Sequence, residues 1–314
     1  MAKTFDVVIL GGGPAGLAAA LYASRAKLKT AVVEENLPGG WMKTTHLVAN
    51  YPGVHPQVRG SELARTMEEQ AKHFGAEFFN AVEVTKLDLT QRRKYVELDE
   101  EETLTAPAVI LAMGQEPRKL GLPGEQAFRG RGLSYCATCD GDFYQDKHVV
   151  VIGGGNSALE ESIFLTQFAR RVTIVHQFDH FQASAVAAEA ARANPKIDFL
   201  LAHEPRAYAG SERFEGVEVE DLATGQRKLI PADGVFVYVG FTPKTSLVKG
   251  QVRLDDRGYI PTDELMHTSQ PGVLAAGDIR VKTYRQITTA VADGTIAALE
   301  AEKIAREVKR DGSD

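Results

Sequence analysis

The stretch Phe5-Asp6-Val7-Val8-Ile9-Leu10-Gly11-Gly12-Gly13-Pro14-Ala15-Gly16 decides the fold. Phe5 to Leu10 reads as a short apolar strand, and a glycine-rich turn follows at once. A helical stretch from Leu17 to Arg25 comes next, then a second strand from Thr30 to Val33 that ends at Glu34. G-x-G-x-x-G in the order strand, turn, helix, strand is the signature of a dinucleotide-binding unit. Gly11 permits the tight turn, Gly13 lets a pyrophosphate approach the backbone, and Gly16 lets the helix pack on the strand. Pro14 and Ala15 belong to the same turn and count among the cofactor-binding positions. Glu34, about 20 residues on, is placed to hold the adenosine ribose hydroxyls. Glycines alone would also suit a turn without a ligand; the strand, helix and acid around them carry the assignment.

The same grammar recurs downstream. His148 to Ile152 is a strand, Gly153-Gly154-Gly155-Asn156-Ser157-Ala158 a turn, Leu159 to Phe168 a helix and Val172 to Val175 the next strand. Ala158 replaces the third glycine, which the motif tolerates, so Gly153, Gly155 and Ala158 form a second diphosphate cradle. Just before it, Ser134-Tyr135-Cys136-Ala137-Thr138-Cys139-Asp140 carries the only two cysteines of the sequence. A zinc site would need more ligands nearby, and no metal is expected. Two thiols at C-x-x-C spacing can close and open a small disulfide ring, a two-electron switch. The alternative is a pair of buried small hydrophobes. Two dinucleotide units with a C-x-x-C between them describe an α/β flavoprotein, one unit holding a flavin and the other normally a pyridine nucleotide.

Beyond the second unit, Ala187 to Ile197 reads as an alanine-rich helix, and Phe214 to Val219 and Gly234 to Gly240 as strands. Gly240-Phe241-Thr242-Pro243-Lys244 reads as a linker. Val273 to Asp278 is a strand ending in an acid, and Gly277 with Asp278 suits a grip on a ribityl chain; a long helix follows from about Ile287 to Val308. The length of 314 residues suits two domains. With 44% hydrophobic and 25% charged residues the composition is that of an ordinary globular protein. A formal net charge of −6 argues against a nucleic-acid partner. No apolar run approaches the ~20 residues that span a bilayer, and no signal-peptide pattern precedes Phe5, so a cytoplasmic location is expected.

With these motifs in place the chain resembles the low-molecular-weight thioredoxin reductases over nearly its full length. The resemblance rests on Gly11 to Gly16, Pro38-Gly39-Gly40, Ala49-Asn50-Tyr51-Pro52-Gly53, Pro117-Arg118-Lys119-Leu120, Cys136 to Asp140, Gly153 to Glu161, and Ala275 to Arg280 leading to Tyr284-Arg285-Gln286-Ile287. It implies a homodimer of two Rossmann-like dinucleotide-binding domains, the second inserted into the first. The FAD-binding domain would comprise 1–116 and 245–314. The inserted pyridine-nucleotide-like domain, 117–244, would carry the redox disulfide. It also implies that Gly11, Gly13, Gly16 and Glu34 hold the FAD diphosphate and ribose and that Gly40 and Asn50 lie toward the flavin. Asp278 would take the ribityl hydroxyls, and Arg285 and Gln286 would lie against the isoalloxazine. Cys139 would be the thiol nearer the flavin, Cys136 the one that exchanges with a thioredoxin-like protein, and Asp140 the general acid and base. A carboxyl beside the disulfide can supply the proton a departing thiolate needs; the bland role for Asp140 is a helix cap.

The sequence departs from that family at the clamp for the NADPH 2′-phosphate. The family has His-Arg-Arg at the strand end and another arginine four residues on; here the stretch is His176-Gln177-Phe178-Asp179-His180-Phe181-Gln182. Each lost charge-assisted hydrogen bond is worth about 1.5–3 kcal/mol, and neutral histidines compensate poorly. An NADH site wants an acid at the strand end, where His176 stands. Trp41, the only tryptophan, follows Gly40 where the family has Gln; it either packs in the core or stacks on a planar cofactor. Three electron routes stay open: a pyridine-nucleotide enzyme of altered specificity, a ferredoxin-linked enzyme, and one with a second FAD in place of NADPH. The nicotinamide-independent routes rank first. A flavin-binding redox sensor is the competing class, and the intact acid at Asp140 speaks against it.

Overall fold

In the computed structural model, which describes residues 2–45, 48, 50–99 and 102–311 and only the backbone of Cys139, the chain forms two units. The first comprises 1–116 and 242–314, the second 117–241. The return crossing therefore falls three residues ahead of the 244/245 expected from sequence. Phe241–Pro243, expected as linker, is a short strand.

The first unit is built on a five-stranded parallel sheet in the order Val273–Ala275, Ala108–Leu111, Val7–Leu10, Thr30–Glu34, Glu77–Asn80. Parallel strands covered on both faces read as unbroken apolar runs, and Val7 to Leu10 are all fully buried. Alternation divides them: Val7, Ile9, Val32 and Ile110 join the alanines of the helices Pro14–Arg25 and Ile287–Arg310 in one core. Val8, Leu10, Val33 and Leu111 join Val96, Leu98 and Leu104 of a second, four-stranded sheet in the other. The first helix begins at Pro14, ahead of the expected Leu17, because proline is pre-set for the first helical turn.

The second unit repeats the plan. Its parallel sheet runs Leu133–Ser134, Gly234–Val237, His148–Ile152, Arg171–His176, Ile197–Leu201. Val149, Val151 and Phe236 face the helix Asn156–Leu165, whereas Val150, Ile152 and Val235 face an antiparallel meander, His203–Gly210, Phe214–Asp221, Arg227–Pro231. The helix expected over Ala187 to Ile197 spans Ala185–Ala193 instead; Pro195 cannot continue it, and Ile197 opens a strand. No helix among the described residues is long and apolar enough to cross a membrane.

Helix Ile287–Arg310 lies so close to helix Pro14–Arg25 that a Cβ on Gly294 would overlap the Ala15 carbonyl. Replacing Gly by Ala inside a helix ordinarily gains about 1 kcal/mol, but overpacking costs about 1–3 kcal/mol. Gly294→Ala is therefore expected to lower the free energy of unfolding by up to about 2 kcal/mol in chemical denaturation, against the propensity trend.

Candidate active site

A parallel sheet delivers all its carboxyl ends to one edge. In the first unit those ends are Gly11, Glu34, Ala112 and Gly277-Asp278. Gly11 adopts φ +103°, and a Cβ there would collide with the Ala112 backbone. Gly16 approaches the Gly11 carbonyl as closely. Gly13 is open: the nearest atom to a Cβ there would be the Gly40 Cα at 3.9 Å, so two bare glycines face each other. Pro14 starts the helix, while Ala15 is buried and packs against Gly277 and Gly294. Glu34 accepts hydrogen bonds from the Gly12 N–H at 2.7 Å and the Asn36 N–H at 3.0 Å, which fixes its carboxylate at the glycine turn.

Asp278 follows Gly277, whose φ is +80°. Its Oδ2 accepts from Gln115 Nε2 at 3.3 Å, while its Oδ1 is buried with no partner. Burial raises the Asp278 pKa, with Lys282 and Arg285 pulling it back. Buried Asp293 fixes this loop, accepting from the Gly277 N–H at 3.1 Å, Arg280 Nη1 at 3.0 Å and Lys282 Nζ at 2.8 Å. The Arg285 guanidinium lies 4.5 Å from the Tyr259 ring centroid, and its buried Nε has no partner. Gln286 caps the long helix, and its Oε1 accepts from Asn50 Nδ2 at 3.3 Å. Trp41 is 39% exposed and donates its indole N–H to the Gln115 carbonyl at 2.8 Å, so the core-packing alternative does not hold. Gln115 and Tyr259, joined at 3.4 Å, are site residues that no sequence motif marked. A buried acceptor, a buried donor and a side-chain-free cradle fit a ligand with hydroxyls and a diphosphate, as FAD has.

In the second unit the edge collects Cys136, Gly153, His176 and Tyr238. Cys136 is disulfide-bonded; the Cys139 side chain lies outside the described residues. Its neighbour Ala137 donates its N–H to the Tyr238 hydroxyl at 2.8 Å, and Cys136 N–H donates to Ser134 Oγ at 3.0 Å. Asp140 closes the short helix Ala137–Asp140 and makes no side-chain cap to the turn that follows. Buried Glu125 holds the approach, accepting from the N–H groups of Leu120 at 3.1 Å and Leu122 at 3.2 Å and from the Tyr135 hydroxyl at 2.5 Å.

A Cβ on Gly153 would meet the Tyr238 carbonyl, and a Cβ on Gly155 would meet nothing. Ala158 is fully buried beside Gly153. Gly154 is needed for another reason, since His176 fills the space beside it. His176 is itself buried, and burial lowers its pKa. Its ring lies 5.3 Å from Phe178 and 6.4 Å from Phe181. His180 bonds Asp179 at 2.7 Å, and the Arg192 guanidinium lies 5.3 Å from the Phe181 ring. Arg192 is a cation near this strand end that the sequence motif did not include.

Residues 5–294 match the pyridine nucleotide-disulphide oxidoreductase family. A thioredoxin reductase of Peptoclostridium acidaminophilum is 46% identical over 309 residues, covering 96% of this chain and 98% of the relative. The structure of Lactococcus lactis thioredoxin reductase superposes with a TM-score of 0.93 at 38% identity, covering 96% of this chain and 99% of that one. A ferredoxin-flavin thioredoxin reductase from Clostridium acetobutylicum matches at a TM-score of 0.53 and 29% identity, covering 99% of this chain and all of that one. Two parallel sheets with glycine turns at their carboxyl edges, a C-x-x-C in the inserted unit and full-length likeness lead to one statement: the chain belongs to the pyridine nucleotide-disulphide oxidoreductase family, among the homologues of thioredoxin reductase.

Proposed function

We propose that this flavin-dependent disulfide oxidoreductase passes electron pairs between FAD, the Cys136 and Cys139 pair and a thioredoxin-like dithiol or disulfide protein, without NADPH as donor. FAD, when bound, supplies the two-electron chemistry. The Gly11 and Gly13 backbone and the start of helix Pro14–Arg25 would hold its diphosphate, and Glu34 its ribose. The unpartnered Oδ1 of Asp278 would accept from ribityl hydroxyls, with Arg285, Gln286, Asn50 and Trp41 grouped around the ring end. Asp140 would hold the proton that a departing thiolate takes.

One observation carries the exclusion of NADPH. The strand end that would face a 2′-phosphate presents the rings of His176, Phe178 and Phe181 and the paired Asp179 and His180. Burial keeps His176 neutral near pH 7, and Arg192 alone does not replace three guanidinium groups. The open backbone at Gly155 and the aromatic surface suit a second FAD, whose adenosine ribose carries no 2′-phosphate. The likeness to a ferredoxin-flavin thioredoxin reductase supports a second route, in which ferredoxin is the partner and the second unit holds no nucleotide.

FAD released by acid from the purified protein is expected near two per chain; a value near one would transfer the assignment to the ferredoxin route or to a pyridine nucleotide, NADH. Stopped-flow mixing with micromolar NADPH is expected to leave the flavin absorbance oxidised for many seconds, and rapid bleaching would refute the missing-clamp argument. Cys139→Ser is expected to retain bound flavin and lose essentially all turnover of dithiol or disulfide substrates, measured as thiol release. Normal turnover by that variant would remove the cysteines from the mechanism.

A further inference from the structure

Gln115 stands half-buried where the chain leaves the first unit, and several neighbours converge on it. Its backbone is pinned from two sides. The Lys244 N–H donates to the Gly114 carbonyl at 3.1 Å, and the Trp41 indole N–H donates to the Gln115 carbonyl at 2.8 Å. With the backbone held, the side chain reaches two further partners. Its Nε2 donates to Asp278 Oδ2 at 3.3 Å, and its Oε1 accepts from the Tyr259 hydroxyl at 3.4 Å. Tyr259 is itself fixed, its N–H donating to Asp255 Oδ1 at 2.8 Å. The next residue is tied to the Asp278 turn, Ile260 N–H donating to the Ile279 carbonyl at 3.0 Å. The Gln115 amide can face Asp278 in one sense only. Turned over, it would set a carbonyl against a carboxylate, two acceptors with no proton between them. Asp278 Oδ2 is therefore occupied by the protein. Oδ1, buried with no partner, is the oxygen left for a ligand.

We propose that Gln115 is a positioning residue for FAD: by holding Asp278 Oδ2 it fixes the carboxylate plane and leaves Oδ1 for the ribityl hydroxyls. This rests on the reading of Asp278 as the ribityl acceptor. A carboxyl free to turn about its last side-chain bond loses that freedom when a ligand binds. One already held at one oxygen has met the cost in advance. Position 115 thus works through hydrogen-bond polarity rather than bulk. Glutamate there would have the same size and keep an acceptor for Tyr259, yet it would put an acceptor where Asp278 needs a donor. Lys282, Arg285 and Asp293 are the charged groups that act on Asp278, and Tyr259 is the titratable group against Gln115. All four are retained in the variants used as tests.

The test follows release of FAD from the full-length holoprotein after dilution, by the rise in flavin emission. Asp278→Ala identifies the FAD of the first unit: that phase is expected to quicken about a hundredfold or to be missing after purification. At about pH 8, Gln115→Ala is expected to quicken the same phase about tenfold, and Gln115→Glu about a hundredfold, because two carboxylates then oppose each other. At about pH 5 the order is expected to reverse, Gln115→Glu releasing FAD more slowly than Gln115→Ala, because a carboxyl pair shares one proton. The emission maximum of Trp41, the only tryptophan, is expected to stay in place in both variants, since its indole bonds the backbone. Wild-type release from Gln115→Glu at about pH 8, or an order that does not reverse at about pH 5, overturns the proposal. So does a shift of the Trp41 emission alongside faster release, which would trace the effect to the backbone. An Asp278→Ala variant that releases every FAD at the wild-type rate overturns instead the assignment of Asp278, on which the proposal depends.

Discussion

The fold depends on backbone approaching backbone where side chains are absent. Gly16 meets the Gly11 carbonyl, Gly11 meets Ala112, and Gly294 meets Ala15. These contacts press the helices Pro14–Arg25 and Ile287–Arg310 onto the sheet of the first unit, with alanine filling most of the seam. A Cβ at any of them would lift a helix from the sheet and lose dispersion contacts along its length. The glycine turn is the visible end of that close packing, and its exposed N–H groups are a consequence of it.

Parallel winding then decides where chemistry can occur. Residues more than 200 positions apart, such as Gly11 and Asp278, share an edge because their strands run the same way in one sheet. The second unit does the same for Cys136 and Tyr238, which follow the neighbouring strands Leu133–Ser134 and Gly234–Val237. Each edge collects polar groups that burial leaves short of partners, among them Asp278 Oδ1, Arg285 Nε, Thr138 Oγ1 and His176 Nε2. Unpaired buried atoms cost about 1–3 kcal/mol each, a cost that a bound ligand can offset.

Electrostatics separates the two edges. In the first unit Asp293 ties Arg280 and Lys282 into a fixed pair of ion contacts, so that Asp278 is presented on a rigid loop beside cations. The raised pKa of Asp278 means that the unliganded fold loses stability as pH rises through its titration, since the unfolded chain ionises that carboxyl more easily. In the second unit no cation among the described residues opposes this effect at Glu161, and burial pushes that carboxyl up to about 7.

The sequence by itself determined the two strand-turn-helix units, the C-x-x-C, the acid after it and the missing arginines, because each is a local pattern with a local physical cause. Glycine spacing reports backbone geometry within a few residues, and apolar runs report burial on both faces of a sheet. It missed the small sheets at Val84–Asp88, Lys94–Leu98 and Arg227–Pro231, whose short, half-exposed strands carry little pattern. It placed Trp41 between core and cofactor, and only the indole bond to Gln115 on an exposed ring settled that it is not core. Gln115, Tyr259, Tyr238 and Arg192 were invisible for the same reason: each meets its partner through the winding of the chain, across separations that no motif spans. Local chemistry chose the residues; tertiary structure chose their neighbours, and the neighbours set which carboxyl keeps its proton.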